Sequence, residues 1–225
     1  CAMLAARDAG FPTVKLDPGT FTVAHINIDS FNGTLEGATI NSTTVVFDNF
    51  SVDCQAMVND GLTPSGIKFI RGEPRVRFMS LVAADPCSTE NQPFYMLHFT
   101  GQNADGPCGN DVIFGNVDRV SIQAANNPSG NLVGVGVFPE GYELGGCKTT
   151  LLGTFKLNRS FIDDVPFGIQ TNMKGAAQVD LNFNEFNDNA FPIFIDDANQ
   201  ITTVQFNDFV GTASGTGTYL GVTLL

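Results

Sequence analysis

Lys68, Arg71, Arg75 and Arg77 place four of the chain's 11 basic residues in one short stretch. Side chains alternate between the two faces of an extended strand, so Arg75 and Arg77 share a face. Two guanidinium groups on one face can meet the carboxylates of an extended anionic chain bidentately. Beside a base, they would also neutralise a carboxylate while its α proton is removed. These four residues are therefore the candidates for lyase-like work. The plainer alternative is the solvated outer face of a strand.

Paired carboxylates are the second resource. Asp163-Asp164 and Asp196-Asp197 are the residue type that hydrolyses a glycosidic bond with two flanking carboxyl groups, or that holds Ca²⁺ through oxygen ligands. In turns, Asp also bonds to its own backbone. Calcium is the one cofactor these residues suggest. Lys156, Arg159 and Lys174 lie near the first pair in sequence and, with Tyr142, are candidates for substrate binding. Tyr95, Tyr142 and Tyr219, if exposed, would stack on sugar rings, but three Tyr and no Trp are a thin aromatic supply. His25 and His98 have no companion acid at motif spacing and read as structural or surface residues.

The five cysteines, Cys1, Cys54, Cys87, Cys108 and Cys147, show no Cys-x-x-Cys spacing, which removes support for a zinc knuckle or a redox pair. Cys87 and Cys108 lie in Pro/Gly/Asn-rich segments where a disulfide would restrain flexible chain, with the pairing open. The net charge of −12 opposes nucleic acid phosphates and anionic membrane surfaces as partners. No apolar run approaches the ~20 residues of a membrane span. Few lysines and abundant Asn, Thr and Gly point to a secreted, periplasmic or cell-surface protein. Cys1 is read as the start of an excised fragment rather than a lipid-bearing terminus, because a helix-like stretch follows it at once.

The elements that must position these residues are written as a repeat between Leu151 and Val210. Phe155-Lys-Leu157-Asn-Arg-Ser-Phe161, Val179-Asp-Leu181-Asn-Phe183-Asn-Glu-Phe186 and Val204-Gln-Phe206-Asn-Asp-Phe209 overlay one another. The overlay aligns Phe161 with Phe186 and Phe209, Val179 with Val204, and Ile169 with Ile195. Short alternating apolar segments separated by Asn, Asp and Gly at such a period imply a β-solenoid whose turns stack at the strand spacing of roughly 4.8 Å. Inward Phe, Ile and Val would form columns, and Asn184 and Asn207 an Asn ladder at a bend.

Ahead of the repeats, Ala2 to Ala9 is rich in helix formers and stops at Gly10. Alternating Val14 and Leu16, the turn Asp17-Pro-Gly-Thr, Phe21-Thr-Val23, Ile26-Asn-Ile28 and Phe31-Asn-Gly-Thr-Leu35-Glu-Gly37 follow as short strands and turns. This opening resembles that of right-handed parallel β-helix proteins of the pectate-lyase-like superfamily, in which a short helix caps the first turn. The resemblance covers the opening segment and, more loosely, the repeats after Gly115. It implies an all-β, right-handed parallel β-helix in one domain over 1–225: a cap helix over 1–10, stacked turns with loop excursions over 11–210, and a tail over 211–225. It also implies acidic polysaccharides as substrates. The family's lyase pattern Arg-x-Pro-x-x-Arg is not matched, since Arg71-Gly-Glu-Pro74-Arg-Val-Arg77 has one residue too many and the chain has no Trp. The Gly-His-Gly and Arg-Ile-Lys patterns of polygalacturonases are also missing.

Two functions follow as expectations. One is an exported protein that binds, and cleaves in lyase fashion, an acidic polysaccharide; the other is a non-catalytic solenoid serving as a surface, adhesion or assembly module. The apolar end Tyr219 to Leu225 suggests a longer natural chain, or self-association through an uncapped C-terminal end. Ice binding would need Thr-x-Thr at the solenoid period, which Thr202-Thr203 and Thr216-x-Thr218 do not supply.

Overall fold

A computed structural model describes residues 2–48, 63–85, 93–101, 110–125, 132–138, 150–173, 177–195, 201–211 and 223–224. Within them the chain is all-β: the helix Ala2–Asp8 precedes 19 strands joined into one large sheet whose pairings are parallel. The strands stack in three columns, which the chain visits in a fixed cyclic order. Column A aligns Val14, Leu35, Val76, Val117, Leu157, Leu181 and Val204. Column B aligns Val45, Leu81, Ile122, Ile162, Phe186 and Phe209. Column C aligns Ile67, Leu97, Val135, Ile169 and Ile193. No helix among the described residues is long and apolar enough to cross a membrane.

Alternation along each strand explains the arrangement, because every second side chain points to the interior between the columns. Phenylalanine fills much of that interior. Phe31 stacks on Phe69 with centroids 6.1 Å apart, Phe69 on Phe99 at 5.3 Å, and Phe155 meets Phe99 edge-on at 5.0 Å. Gly115 is required beside this stack, since a Cβ there would lie 2.6 Å from Phe155 Cδ2 and 2.8 Å from Phe99 Cδ1.

The expected Asn ladder is present at the bend from column A to column B. Asn184 Oδ1 accepts from the Ser160 N–H at 3.0 Å and Asn184 Nδ2 donates to the Leu157 carbonyl at 2.8 Å. One pass later Asn207 repeats both contacts, with the Asn184 N–H at 2.9 Å and the Leu181 carbonyl at 2.8 Å.

The register differs from the sequence overlay. Phe186 lies over Ile162, not Phe161; Val204 over Leu181, not Val179; and Ile195 over Thr171, while Ile169 lies over Ile193. Successive passes here are 24 and then 23 residues long. The slips at Val204 and Ile195 are of two residues and leave side chains on their original face, so alternation alone does not distinguish those registers. The slip at Phe186 is of one residue and puts Ile162, not Phe161, on the inward face.

The helix covers one end of the columns, with Met3 buried and Leu4 and Ala6 packed on the core. Gly10 ends it with φ +71°. Arg7 Nη1 donates to the Asp29 carbonyl at 3.2 Å. The Asp29 carboxylate is held by Arg71, with Nε at 3.1 Å from Oδ1 and Nη2 at 2.6 Å from Oδ2. These Arg71 bonds hold the Asp29 carboxyl below its ordinary value of 3.8; partial burial works against them, and Ser30 Oγ adds a further bond.

A carboxylate with a lowered folded-state pKa contributes stability above its unfolded pKa and loses it as the pH falls through the folded value. Asp29→Asn should therefore be less stable than the parent at neutral pH, by under about 1 kcal/mol since both partners are partly exposed. The gap should narrow as the pH falls from neutral through the folded value and vanish below it. Thermal melts of both proteins across this range check the prediction, and a gap that persists in acid would refute it.

Candidate functional site

The outer face of column A and its edge with column B collect most of the charged chemistry. Val76, Val117 and Leu157 point inward, so their neighbours point out: Arg75 and Arg77, Asn116 and Asp118, Lys156 and Asn158. Register stacks Lys15, Glu36, Arg77, Asp118, Asn158 and Asn182 in one row, and Arg75, Asn116, Lys156 and Asp180 in the next.

Ion pairs run along the stack. Arg77 pairs with Glu36 through two nitrogens, and Lys15 reaches the same carboxylate at 3.8 Å. Arg159 pairs with Asp118 at 2.7 Å, with Arg119 at 3.6 Å on the other oxygen. Lys156 meets Asp180 at 3.8 Å. Arg75 is exposed and, among the described residues, has no carboxylate partner.

At the edge between columns A and B, the five passes from Val76 to Val204 each turn on one residue in the left-handed region. These are Phe78 (φ 59°), Arg119 (53°), Arg159 (49°), Phe183 (59°) and Phe206 (55°). The preceding residue also faces outward and the following one, Met79, Val120, Ser160, Asn184 or Asn207, faces inward. The pattern in–out–out–in turns the chain from one column to the next.

Structure separates several residues that the sequence suggested as one site. Arg75 and Arg77 share the column A face as expected. Lys68 does not join them: it is buried in column C, in register with Asn27 and His98. Arg71 lies at the edge between columns C and A, occupied by Asp29. Lys156 and Arg159 join Arg75 and Arg77 rather than the Asp163-Asp164 pair.

Asp163 ends a strand of column B and Asp164 forms its edge with column C (φ 54°), stacked on Asp188 (φ 50°). Oxygens of Asp163, Asp164 and Asp188 lie within 4.8 Å of one another, and Asn187 Nδ2 donates to Asp163 Oδ1 at 2.6 Å. The donors are all oxygens, the ligand type of Ca²⁺. Asp188, absent from the sequence candidates, completes this cluster with the first pair. Lys174, Tyr142, Asp196, Asp197, Cys87 and Cys108 lie outside the described residues, as do the other cysteines.

Tyr95 is buried rather than exposed. Its hydroxyl lies 3.0 Å from Gln170 Oε1 and its ring stacks on His98 at 4.9 Å. His98 is likewise buried, with Nε2 2.9 Å from the Phe138 carbonyl oxygen. His25 Nδ1 lies beside the Ser65 carbonyl.

Sequence reasoning overlooked Arg119, Phe78, Phe183 and Phe206. The available signal was the recurring quartet Val76-Arg-Phe-Met79, Leu157-Asn-Arg-Ser160, Leu181-Asn-Phe-Asn184 and Val204-Gln-Phe-Asn207. Two adjacent outward residues between inward ones break strict alternation at a fixed place in each pass. Comparison of the chain with protein-family models, curated proteins and solved structures finds no match.

Proposed function

We propose that the chain is an exported right-handed parallel β-helix, similar in architecture to the pectate-lyase-like superfamily, that binds an acidic polysaccharide along the outer face of column A. One observation carries this reading. In a chain of net charge −12, that face and its edge gather Lys15, Arg75, Arg77, Arg119, Lys156 and Arg159 out of 11 basic residues, against Glu36, Asp118 and Asp180. A local positive excess on an otherwise acidic molecule attracts anionic polymers and repels them elsewhere. Arg75, with its donors uncommitted to a carboxylate, offers bidentate capture of a uronate. Lys156 and Arg159 extend the cationic track along the stacking direction.

Binding rather than cleavage is the supported activity. Among the described residues, Glu36, Asp118 and Asp180 on this face are each engaged by a cation and no histidine lies there, so what the face offers is cations for an anionic ligand.

Titration calorimetry with oligomers of pectate, alginate and glycosaminoglycans tests the proposal. Arg75→Ala should weaken binding about tenfold, roughly 1.4 kcal/mol. Arg71→Ala, the same change in charge at an edge engaged by Asp29, should bind like the parent. Equal losses in both variants, or no binding to any acidic polymer, would overturn the assignment. Release of unsaturated sugars, read by ultraviolet absorbance, would replace binding with a lyase reading.

A further inference from the structure

We infer that the edge between columns A and B is itself a contact line for the glycan, with Arg119 and Arg159 taking its carboxylates and Phe183 and Phe206 packing against its sugar rings. The inference rests on the polysaccharide reading and adds which edge is used and by which groups.

Residue choice is the argument. A left-handed backbone is tolerated best by Gly, Asn and Asp, and is unfavourable for bulky side chains. At the other edges Asp164, Asp188, Gly72 and Gly153 follow this rule, while Ser30 is small and Arg71 has its guanidinium engaged by Asp29. Only the edge between A and B places Phe or Arg at this position in each of five successive passes among the described residues.

Burial does not explain the choice. Phe183 is 59% and Phe206 73% exposed, although their rings stack at 4.9 Å and 9°. Their mutual contact still leaves most of both rings in water. Phe78 differs from them in carrying cations, since the guanidinium carbons of Arg77 and Arg119 lie 5.4 and 5.3 Å from its centroid. Ring faces of that kind fix the orientation of the cations before a ligand arrives.

Arg71 pairs with the Asp29 carboxylate through two nitrogens, whereas Arg119 and Arg159 share the single Asp118 carboxylate. The edge between A and B thus carries guanidinium groups in excess over its first passes and exposed rings over its last. An acidic glycan has the matching pair of surfaces, since each sugar presents carboxylate oxygens and an apolar C–H face. Strands stack at roughly 4.8 Å, so five passes form a line long enough for several sugars.

The test uses the double variant Phe183→Asn/Phe206→Asn and the single variant Arg159→Asn, because Asn suits the left-handed backbone and should leave the melting temperature unchanged or higher. Affinities are measured for an oligouronate and for its methyl ester. Loss of the rings should weaken binding of both ligands, roughly tenfold. Arg159→Asn should weaken binding of the free acid alone.

Parent binding that Arg75→Ala weakens and the double Phe variant leaves intact would overturn the edge and spare the polysaccharide reading. No binding by the parent would overturn both. A double variant that changes the sedimentation coefficient while keeping its affinity would make the edge a contact between copies of this chain, and so also overturn the assignment.

Discussion

Phe99→Ala is expected to destabilise the protein by about 4 kcal/mol. Phe99 is fully buried and touches rings from other passes: Phe69 at 5.3 Å, nearly parallel, and Phe155 at 5.0 Å, edge-on. Removing the ring takes away its own burial and leaves a cavity. Phe69 and Phe155 are each held by a strand in register with its neighbours and cannot close the gap without shifting the backbone. In a chain of this length the melting temperature should fall by roughly 10 °C.

Gly115 provides an internal check. A methyl group there would meet both Phe99 and Phe155, so Gly115→Ala alone should cost about 1–3 kcal/mol through overpacking. In the Phe99→Ala background one of the two clashes is gone, and the double variant should be less unstable than the sum of the two singles. Chemical denaturation of the four proteins measures this. A cost for Phe99→Ala below about 1 kcal/mol, or strict additivity, would mean that the stack is not close-packed.

The success and the failures of sequence reading share one physical root. Alternation reports which face a residue occupies, and with the repeat period it was enough to expect stacked strands, an interior of phenylalanine and Arg75 and Arg77 on one face. It does not report register, because Val179 and Leu181 are equivalent inward residues and either could lie under Val204. Nor does it report what covers a face. Lys68 was grouped with the outward arginines and Tyr95 was a candidate only if exposed, yet both are buried, as is His98, because column C is enclosed on both sides in its middle passes.

The edge residues were hidden for a different reason. Left-handed turns are normally signalled by Gly, Asn or Asp, and Phe183 and Arg159 carry no such signal. Asn184 and Asn207 did announce a bend, because an amide between two apolar strands has few satisfactory places other than a ladder.

That ladder yields the second large effect. Asn184→Ala is expected to cost about 3 kcal/mol, since it removes an acceptor from the Ser160 N–H and a donor from the Leu157 carbonyl at a buried bend. Neither group can turn to water. Ser160 Oγ is already used, accepting from the Val120 N–H at 3.2 Å and donating to the Asn158 carbonyl at 3.0 Å.

Asn184→Asp separates the two halves of the interaction. The carboxylate keeps an acceptor for Ser160 but faces the Leu157 carbonyl and Asn207 Oδ1, which Asn184 Nδ2 now approaches at 2.8 and 2.9 Å. Burial beside oxygens raises the pKa of the new acid above its unfolded value of about 3.9. A raised folded pKa favours the native state below the unfolded pKa, and this advantage disappears as the pH rises through the folded value. Relative to the parent, Asn184→Asp should therefore approach Asn184→Ala at neutral pH and recover part of the loss near pH 3, where its hydroxyl can donate to the Leu157 carbonyl. Urea melts at the two pH values measure both arms. Stability of the Asp variant that falls in step with the parent on acidification would show that Asn184 acts through shape and not through its hydrogen bonds.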